Sequence, residues 1–365
     1  MSRVKIGLIG SQFAAEIHAE SLKMVPDAEV VAVASPTESH VRAFASKHAI
    51  PYWFTDYRKL LEMEEIRMVA LSVPNDLHCP ITMACASADK HVVVEKPFAM
   101  NLREADLMID ACRKAGVLCM YAEELCFTPK YVRVKQLADE GAFGRVYLVK
   151  QSEKHGGPHA AWFWDVRRSG GGVTMDMGCH AIEFFRWFYG KPKATSVFAD
   201  MGTFVHSGRT KGDDNATIIV RFENGAAGLA EESWARAGGM DDRVEVFGSD
   251  GCAYANLHMG NAIQTYSEKG YGYVVEKATS SKGWTYTTWE EIWNYGFPQE
   301  MAHFVDCVKN GKQPLETGED GRAVLELVCA AYASAGRGRR IELPFRTDAE
   351  RPIDLWLDSN TARPT

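Results

Sequence analysis

His91-Val-Val-Val-Glu95-Lys96-Pro97-Phe98 is the stretch from which the rest of the chain can be read. Three consecutive valines predict a strand buried on both faces, as in a parallel sheet, and the run ends in an acid, a base and a proline. Open α/β sheets bind ligands at the carboxyl ends of such strands, so Lys96 is a candidate functional residue. In isolation Glu95 and Lys96 read equally well as the solvated end of a strand. The segments on either side decide between the two readings.

Upstream, Val4-Lys-Ile-Gly-Leu-Ile9 reads as a strand, Gly10-Ser11-Gln12-Phe13-Ala-Ala15 as a turn, and Glu16 to Met24 has helical spacing. Strand, glycine turn and helix suit a dinucleotide, because the helix N-terminus offers N–H groups and a positive dipole end to a pyrophosphate. Against Gly-x-Gly-x-x-Gly, Gly10 matches, while Gln12 and Ala15 replace the later glycines. Gln12 must therefore turn away or contact the cofactor itself. The second strand, Ala28 to Ser35, ends in Ser35-Pro36-Thr37 where an acid commonly binds a ribose 2′-hydroxyl, and no basic residue follows before Arg42. NAD and NADP both stay open, with NAD favoured.

Further units follow: a helix over 38–48, a strand over 52–55, a short helix capped by Asp56, and a strand from Met68 that closes in Pro74-Asn75-Asp-Leu-His78. A helix from Pro80 leads into the valine strand. Asn101 caps a helix over 102–115 that Gly116 stops, and Leu118 to Tyr121 is the last strand of the series. This alternation predicts an α/β doubly wound parallel sheet, a Rossmann domain over residues 1–122.

With 365 residues, a second domain is expected. The net charge of −7, with no basic run, speaks against nucleic acid and anionic membranes as partners. Nine irregularly spaced cysteines without a Cys-x-x-Cys suggest reduced thiols and a cytoplasmic setting. The chain enters its first strand at once, with no signal-like or membrane-length apolar run, so a soluble protein is expected.

Gly7-x-x-Gly10, Pro74-Asn75-x-x-His78 and above all Glu95-Lys96-Pro97 resemble the Gfo/Idh/MocA family, which includes glucose-fructose oxidoreductase and inositol dehydrogenase. The resemblance covers nearly the whole chain. It implies a nicotinamide cofactor contacted by Gly10, Ser11, Gln12, Phe13, Ser35, Pro36, Thr37, Ser72, Pro74, Asn75, His78, Glu95 and Lys96.

Residues 123–345 have a different character and predict an α+β domain with a large, mostly antiparallel sheet for substrate binding and oligomerisation. A helix over 129–139 precedes a strand over 145–152. Between them and the next glycines, His155, His159, Trp162 and Trp164 crowd one loop, which suits a carbohydrate with its C–H face on a ring. Alternatively both Trp are core residues under a loop. Gly156, Gly157 and Pro158 deny the two histidines helical metal-ligand spacing, so no metal site is expected.

Gly170-Gly-Gly-Val-Thr-Met-Asp176-Met-Gly-Cys-His180 is the second chemical stretch. As one helix over 175–189, it would set Asp176 and His180 on one face, where a carboxylate can fix the tautomer of an imidazole. The arrangement matches the family's second motif, and the resemblance implies catalytic roles for Lys96, Asp176 and His180. Strands over 194–201, 216–222 and 226–234 follow, the last two joined at Asn224-Gly225, then a hairpin over 243–257. The Tyr- and Trp-rich stretch over 266–295 suits either the substrate mouth or a subunit interface. Helices over 298–310 and 318–336, a strand at 341–344 and a polar tail over 346–365 close the chain. In the family the open sheet face commonly packs on a second subunit, which implies a homodimer or homotetramer.

With these residues, the resemblance implies a hydride transfer between a nicotinamide and a sugar, polyol, inositol or glycoside. Two alternatives stay open: a redox-neutral isomerase, epimerase or glycoside-cleaving enzyme with a tightly held cofactor, and a non-catalytic dinucleotide-binding regulator. Glu123 and Glu124 stand where the family often has Asn or Arg. A carboxylate at Glu124 offers a substrate contact or an additional acid or base.

Overall fold

Val92, Val93 and Val94 are fully buried, which is what a strand covered by helices on both faces requires. They belong to β5 (His91–Glu95). The computed structural model describes residues 3–258, 263–270, 280–287 and 290–361. The chain divides into two compact units, Met1–Phe127 with Gly296–Ala323, and Thr128–Tyr295 with Val324–Thr365. The sequence suggests the continuous ranges 1–122, 123–345 and 346–365, whereas the two units interleave.

In the first unit β1 (Val4–Ile9), α1 (Phe13–Lys23), β2 (Ala28–Ala34), α2 (Glu38–His48), β3 (Tyr52–Phe54) and α3 (Tyr57–Leu61) lead to β4 (Met68–Leu71). Then come α4 (His78–Ser87), β5, α5 (Leu102–Ala115) and β6 (Cys119–Ala122). The six strands lie in the order β3-β2-β1-β4-β5-β6, every neighbouring pair parallel. This is the doubly wound sheet the valine run announces. The helix Phe297–Asn310 returns to this unit because Met301, Phe304, Val305 and Val308 repeat at helical spacing and fill the same core as Leu8, Val33 and Val93.

The second unit opens with α6 (Pro129–Asp139), β7 (Val146–Lys154), α7 (Val166–Ser169), α8 (Val173–Asp176) and α9 (Gly178–Phe188). Then follow β8 (Ala194–Gly202), β9 (Asn215–Phe222), β10 (Ala227–Ser233), β11 (Asp241–Gly248) and β12 (Cys252–Asn256). With the short strand Ile341–Glu342 they form one seven-stranded sheet, β12-β11-β7-β10-β9-β8 and then that strand. All its pairs are antiparallel except β7 with β10. Gly225, at φ 83°, turns β9 into β10 as its Asn-Gly dipeptide demands. α9 packs on β7, β9 and β10.

Two expectations are corrected. The single helix over 175–189 is two, α8 and α9, interrupted at Met177. There the His180 N–H bonds the Met177 carbonyl, and Cys179 Sγ donates to the Asp176 carbonyl at 3.2 Å, so a side chain replaces a helical backbone bond. The polar tail carries a helix, Asp354–Thr361, with Ile353 and Trp356 buried and the Ile353 N–H bonded to the Gly170 carbonyl. In the aromatic stretch over 266–295, Trp284 and Trp293 are exposed, and Trp289 lies outside the described residues.

Candidate active site

The first unit gathers its candidates at the carboxyl ends of its strands. β1 runs into Gly10, whose φ of 123° only glycine adopts freely and whose Cβ, if present, would lie 2.1 Å from the Ser72 carbonyl oxygen. This glycine is fixed by the approach of β1 to the end of β4. Gln12, extended at φ −119°, is the N-cap of α1 and makes no side-chain cap. The missing second glycine is thus no obstacle to the backbone, and an uncapped 11-residue helix at a strand end fits a pyrophosphate. Ser11 Oγ donates to Ser35 Oγ at 2.8 Å, tying this turn to the end of β2, which Pro36 and Thr37 continue into α2.

The Glu95-Lys96 step is held from several sides. His18, fully buried on α1, places Nε2 2.7 Å from Glu95 Oε1 and Nδ1 3.2 Å from Ser72 Oγ. The Lys96 backbone N–H donates to Glu95 Oε2 at 3.1 Å. Burial pushes the Glu95 carboxyl up, but the His18 hydrogen bond and charge, with Lys96 and His78, bring it below the usual range. Pro74 precedes a short helical turn containing buried Asn75. His78 sits between the carbonyls of Pro97 and Val73, each 3.0 Å away, and complete burial holds its ring below the usual imidazole range. Sequence reasoning passed over His18, whose signal is a histidine on the inward face of the fingerprint helix.

Glu123 and Glu124 follow β6 and are both buried. Tyr121 Oη lies 3.4 Å from Glu123 Oε2 as a donor. Glu300, in the first turn of the helix Phe297–Asn310, is fully buried beside them. Burial first, then the charges of Glu124, Glu95 and Glu123, push its carboxyl well above the usual range. Nothing in the local sequence distinguishes Glu300 from a solvated helix-cap acid.

In the second unit, the glycine run is shaped by Asp213. Its Oδ1 accepts from the Gly172 N–H at 3.1 Å and from the Tyr332 hydroxyl at 2.6 Å, and its Oδ2 accepts from the Thr174 N–H at 2.8 Å. A Cβ on Gly172 would lie 2.0 Å from the Asp213 carbonyl oxygen, and one on Gly171 2.3 Å from Tyr332 Oη. Two of the three glycines are thus required by close approach. Asp176 and His180, both buried, sit on α8 and α9 beyond this seat. Trp234, wholly buried just after β10, donates its indole N–H to Asp176 Oδ2 at 3.0 Å.

The aromatic loop divides. His155 is fully buried at the end of β7, where its Nδ1 accepts from the Gly157 N–H at 2.9 Å, so it is not an exposed loop residue. His159 is exposed. Trp162, half-buried, stacks on Phe163 at 3.8 Å between centroids. Trp164 packs edge-on to Trp234 at 5.4 Å, and the Arg209 guanidinium lies 4.0 Å over its ring. Neither Trp is a fully buried core residue. No described helix is long and apolar enough to cross a membrane.

Residues 4–123 match the model described as an oxidoreductase family with an NAD-binding Rossmann fold, and residues 131–254 match the GFO/IDH/MocA C-terminal domain. The chain is 29% identical to myo-inositol 2-dehydrogenase of Thermotoga maritima, over 93% of this chain and 98% of that protein. It is 27% identical to scyllo-inositol 2-dehydrogenase (NAD(+)) of Bacillus subtilis, over 94% of this chain and 97% of the relative. Among solved structures, GenD2 from gentamicin A biosynthesis, in complex with NAD, superposes with a TM-score of 0.89 at 31% identity, covering 94% of this chain and 97% of that one.

Proposed function

This chain belongs to the Gfo/Idh/MocA family of oxidoreductases, with its NAD-binding Rossmann fold, and from that premise we propose that it oxidises a hydroxyl of a sugar, polyol or inositol with NAD. The observation that carries the reading is the end of β5, where Lys96 follows a Glu95 pinned by His18 at the ligand end of a parallel sheet. The names of the inositol dehydrogenase relatives support the polyhydroxylated substrate, and the NAD-bound relative supports the choice of cofactor.

The α1 N-terminus would hold the pyrophosphate, with Gly10 to Phe13 around it, and Ser35, Pro36 and Thr37 would face the ribose. Ser72, Pro74, Asn75 and His78 shape the neighbouring strand end. The bound nicotinamide supplies the hydride acceptor. His180 takes the proton from the reacting hydroxyl, and Asp176 orients the imidazole and favours its charged form. Lys96 donates to the oxygen as it develops charge. Glu124, His155, His159, Trp162 and Trp164 are the proposed substrate contacts, with His155, being buried, reached only by a ligand group that enters the unit. Nine irregularly spaced cysteines with no Cys-x-x-Cys support a reducing, cytoplasmic compartment.

Phe198, Ile219 and Leu229 are cross-strand neighbours on β8, β9 and β10, and Phe198 is 40% exposed. We propose that a second copy of the chain covers this stripe. A light-scattering mass near the 40.6 kDa of one chain counts against it.

The test is incubation with NAD, then NADP, against sugars, inositols and glycosides, following nicotinamide absorbance and substrate loss together. Stoichiometric reduction of NAD with one polyol class is expected. Substrate loss without net reduction overturns the dehydrogenase in favour of a redox-neutral cycle.

A further inference from the structure

We propose that Trp234 is the positioning residue of Asp176, fixing the carboxylate through its indole N–H, an inference that rests on the role assigned to Asp176 above. The contact is a 3.0 Å hydrogen bond between Trp234 Nε1 and Asp176 Oδ2, with Trp234 at 0% exposure and Asp176 at 5%. An indole N–H is a donor only, so it favours the ionised carboxylate without adding a positive charge that would compete with an imidazolium. With both residues buried, solvent competes little for the bond.

The donor is itself immobilised. The Trp234 backbone N–H donates to the Asp214 carbonyl at 2.8 Å, and its own carbonyl lies 2.9 Å from His206 Nε2. Asp214 in turn accepts from the backbone N–H groups of Phe204, Val205 and His206, which fixes the loop carrying His206. Trp164 covers the indole edge-on, with His206 at 4.9 Å and Arg209 over its outer face. Trp164 thereby acquires a second part, as a cover over the Trp234–Asp176 bond. Asp176 is steered from both ends: Asp213 sets the backbone entering α8, and Trp234 sets the side chain leaving it.

The experiment is the indole 1H–15N spectrum of the full chain, whose nine tryptophans give nine side-chain resonances. Trp234→Phe deletes one of them, and the expected result is that Asp176→Ala shifts that same resonance upfield while the others stay. A resonance unmoved in Asp176→Ala overturns the proposal, and this holds whether or not a substrate has been found. With a substrate in hand, Trp234→Phe is expected to lower kcat by about 10-fold with KM changed less than about 3-fold, and to have no further effect in the Asp176→Ala background. Equal losses in both backgrounds would mean that Trp234 acts on folding alone. Should Trp234→Phe not fold, triple-resonance assignment of the parent chain identifies the Trp234 indole instead, and the Asp176→Ala spectrum still decides.

Discussion

At the end of β5, Glu95 takes most of its partners from the strand ends and the helix of one fingerprint: His18, Ser72 through His18, and the N–H of the next residue. At the start of α8, Asp213 is the anchor, and its partners Gly172, Thr174 and Tyr332 are spread over more than a hundred positions of sequence. The two carboxyls are also shifted in opposite directions. Burial pushes both up, but His18 and its neighbours outweigh burial at Glu95 and leave it low, whereas Thr174 and Tyr332 do not outweigh it at Asp213, which stays high. A carboxylate met by charged partners serves electrostatics; one met by neutral N–H and O–H groups serves as a seat for the chain.

The largest effect tests the electrostatic corner. Lys96→Ala is expected to lower kcat by ~10²–10³, the loss of one preorganised donor to a developing oxyanion, while the affinity for NAD measured by calorimetry changes little. Equal loss of turnover and NAD affinity would erase the distinction, since Lys96 would then be a cofactor residue like its neighbours. The seating corner should fail differently. Asp213→Ala leaves the Gly172 and Thr174 N–H groups and the Tyr332 hydroxyl without their acceptor, at a cost on the order of 3 kcal/mol in urea unfolding. A variant that keeps its stability and loses only turnover would move Asp213 into the electrostatic class.

The same contrast explains what the sequence let one read. Residue-local physics was legible: the valine run, the Asn101 cap and Gly116 stop of α5, the Asn224-Gly225 turn, and the placement of Lys96 at a strand end. Each is decided by neighbours within a few positions. What was missed is of two kinds, local side-chain effects that pattern reading does not register and placements set by distant partners. Met177 interrupts a run of good helical spacing because the Cys179 thiol bonds the carbonyl that the backbone would use. Trp234, Asp213 and Tyr332 carry no local signal, since only the folded unit, with Asp213 and Trp234 flanking the strands and Tyr332 on the helix Gly318–Arg337, brings them to Asp176 and the glycines. The tail from 346 reads as polar because its buried side chains, Pro352, Ile353 and Trp356 among the described residues, are diluted by charged neighbours.

Glu300 sharpens the comparison, because it lies in the electrostatic corner but comes from a distant segment. Its carboxyl stands well above its ordinary 4.5, through burial first and then the charges of Glu124, Glu95 and Glu123. The native state therefore holds a proton that the unfolded chain has released above pH 4.5. Its contribution to stability is complete below that pH and is lost as pH rises towards and through the folded value, at up to ~1.4 kcal/mol per pH unit. Glu95, held low, has the opposite sign: its contribution is present above 4.5 and is lost as pH falls through the folded value. Glu300→Gln, which cannot ionise, should therefore gain on the parent chain as pH is raised from 5 to 8, read as a widening difference in Tm. Glu95→Gln should show a deficit that is constant over the same range and narrows only below it. Parallel pH profiles for the two variants would mean that Glu300 is ionised and paired, and that its distance in sequence has no bearing on its state.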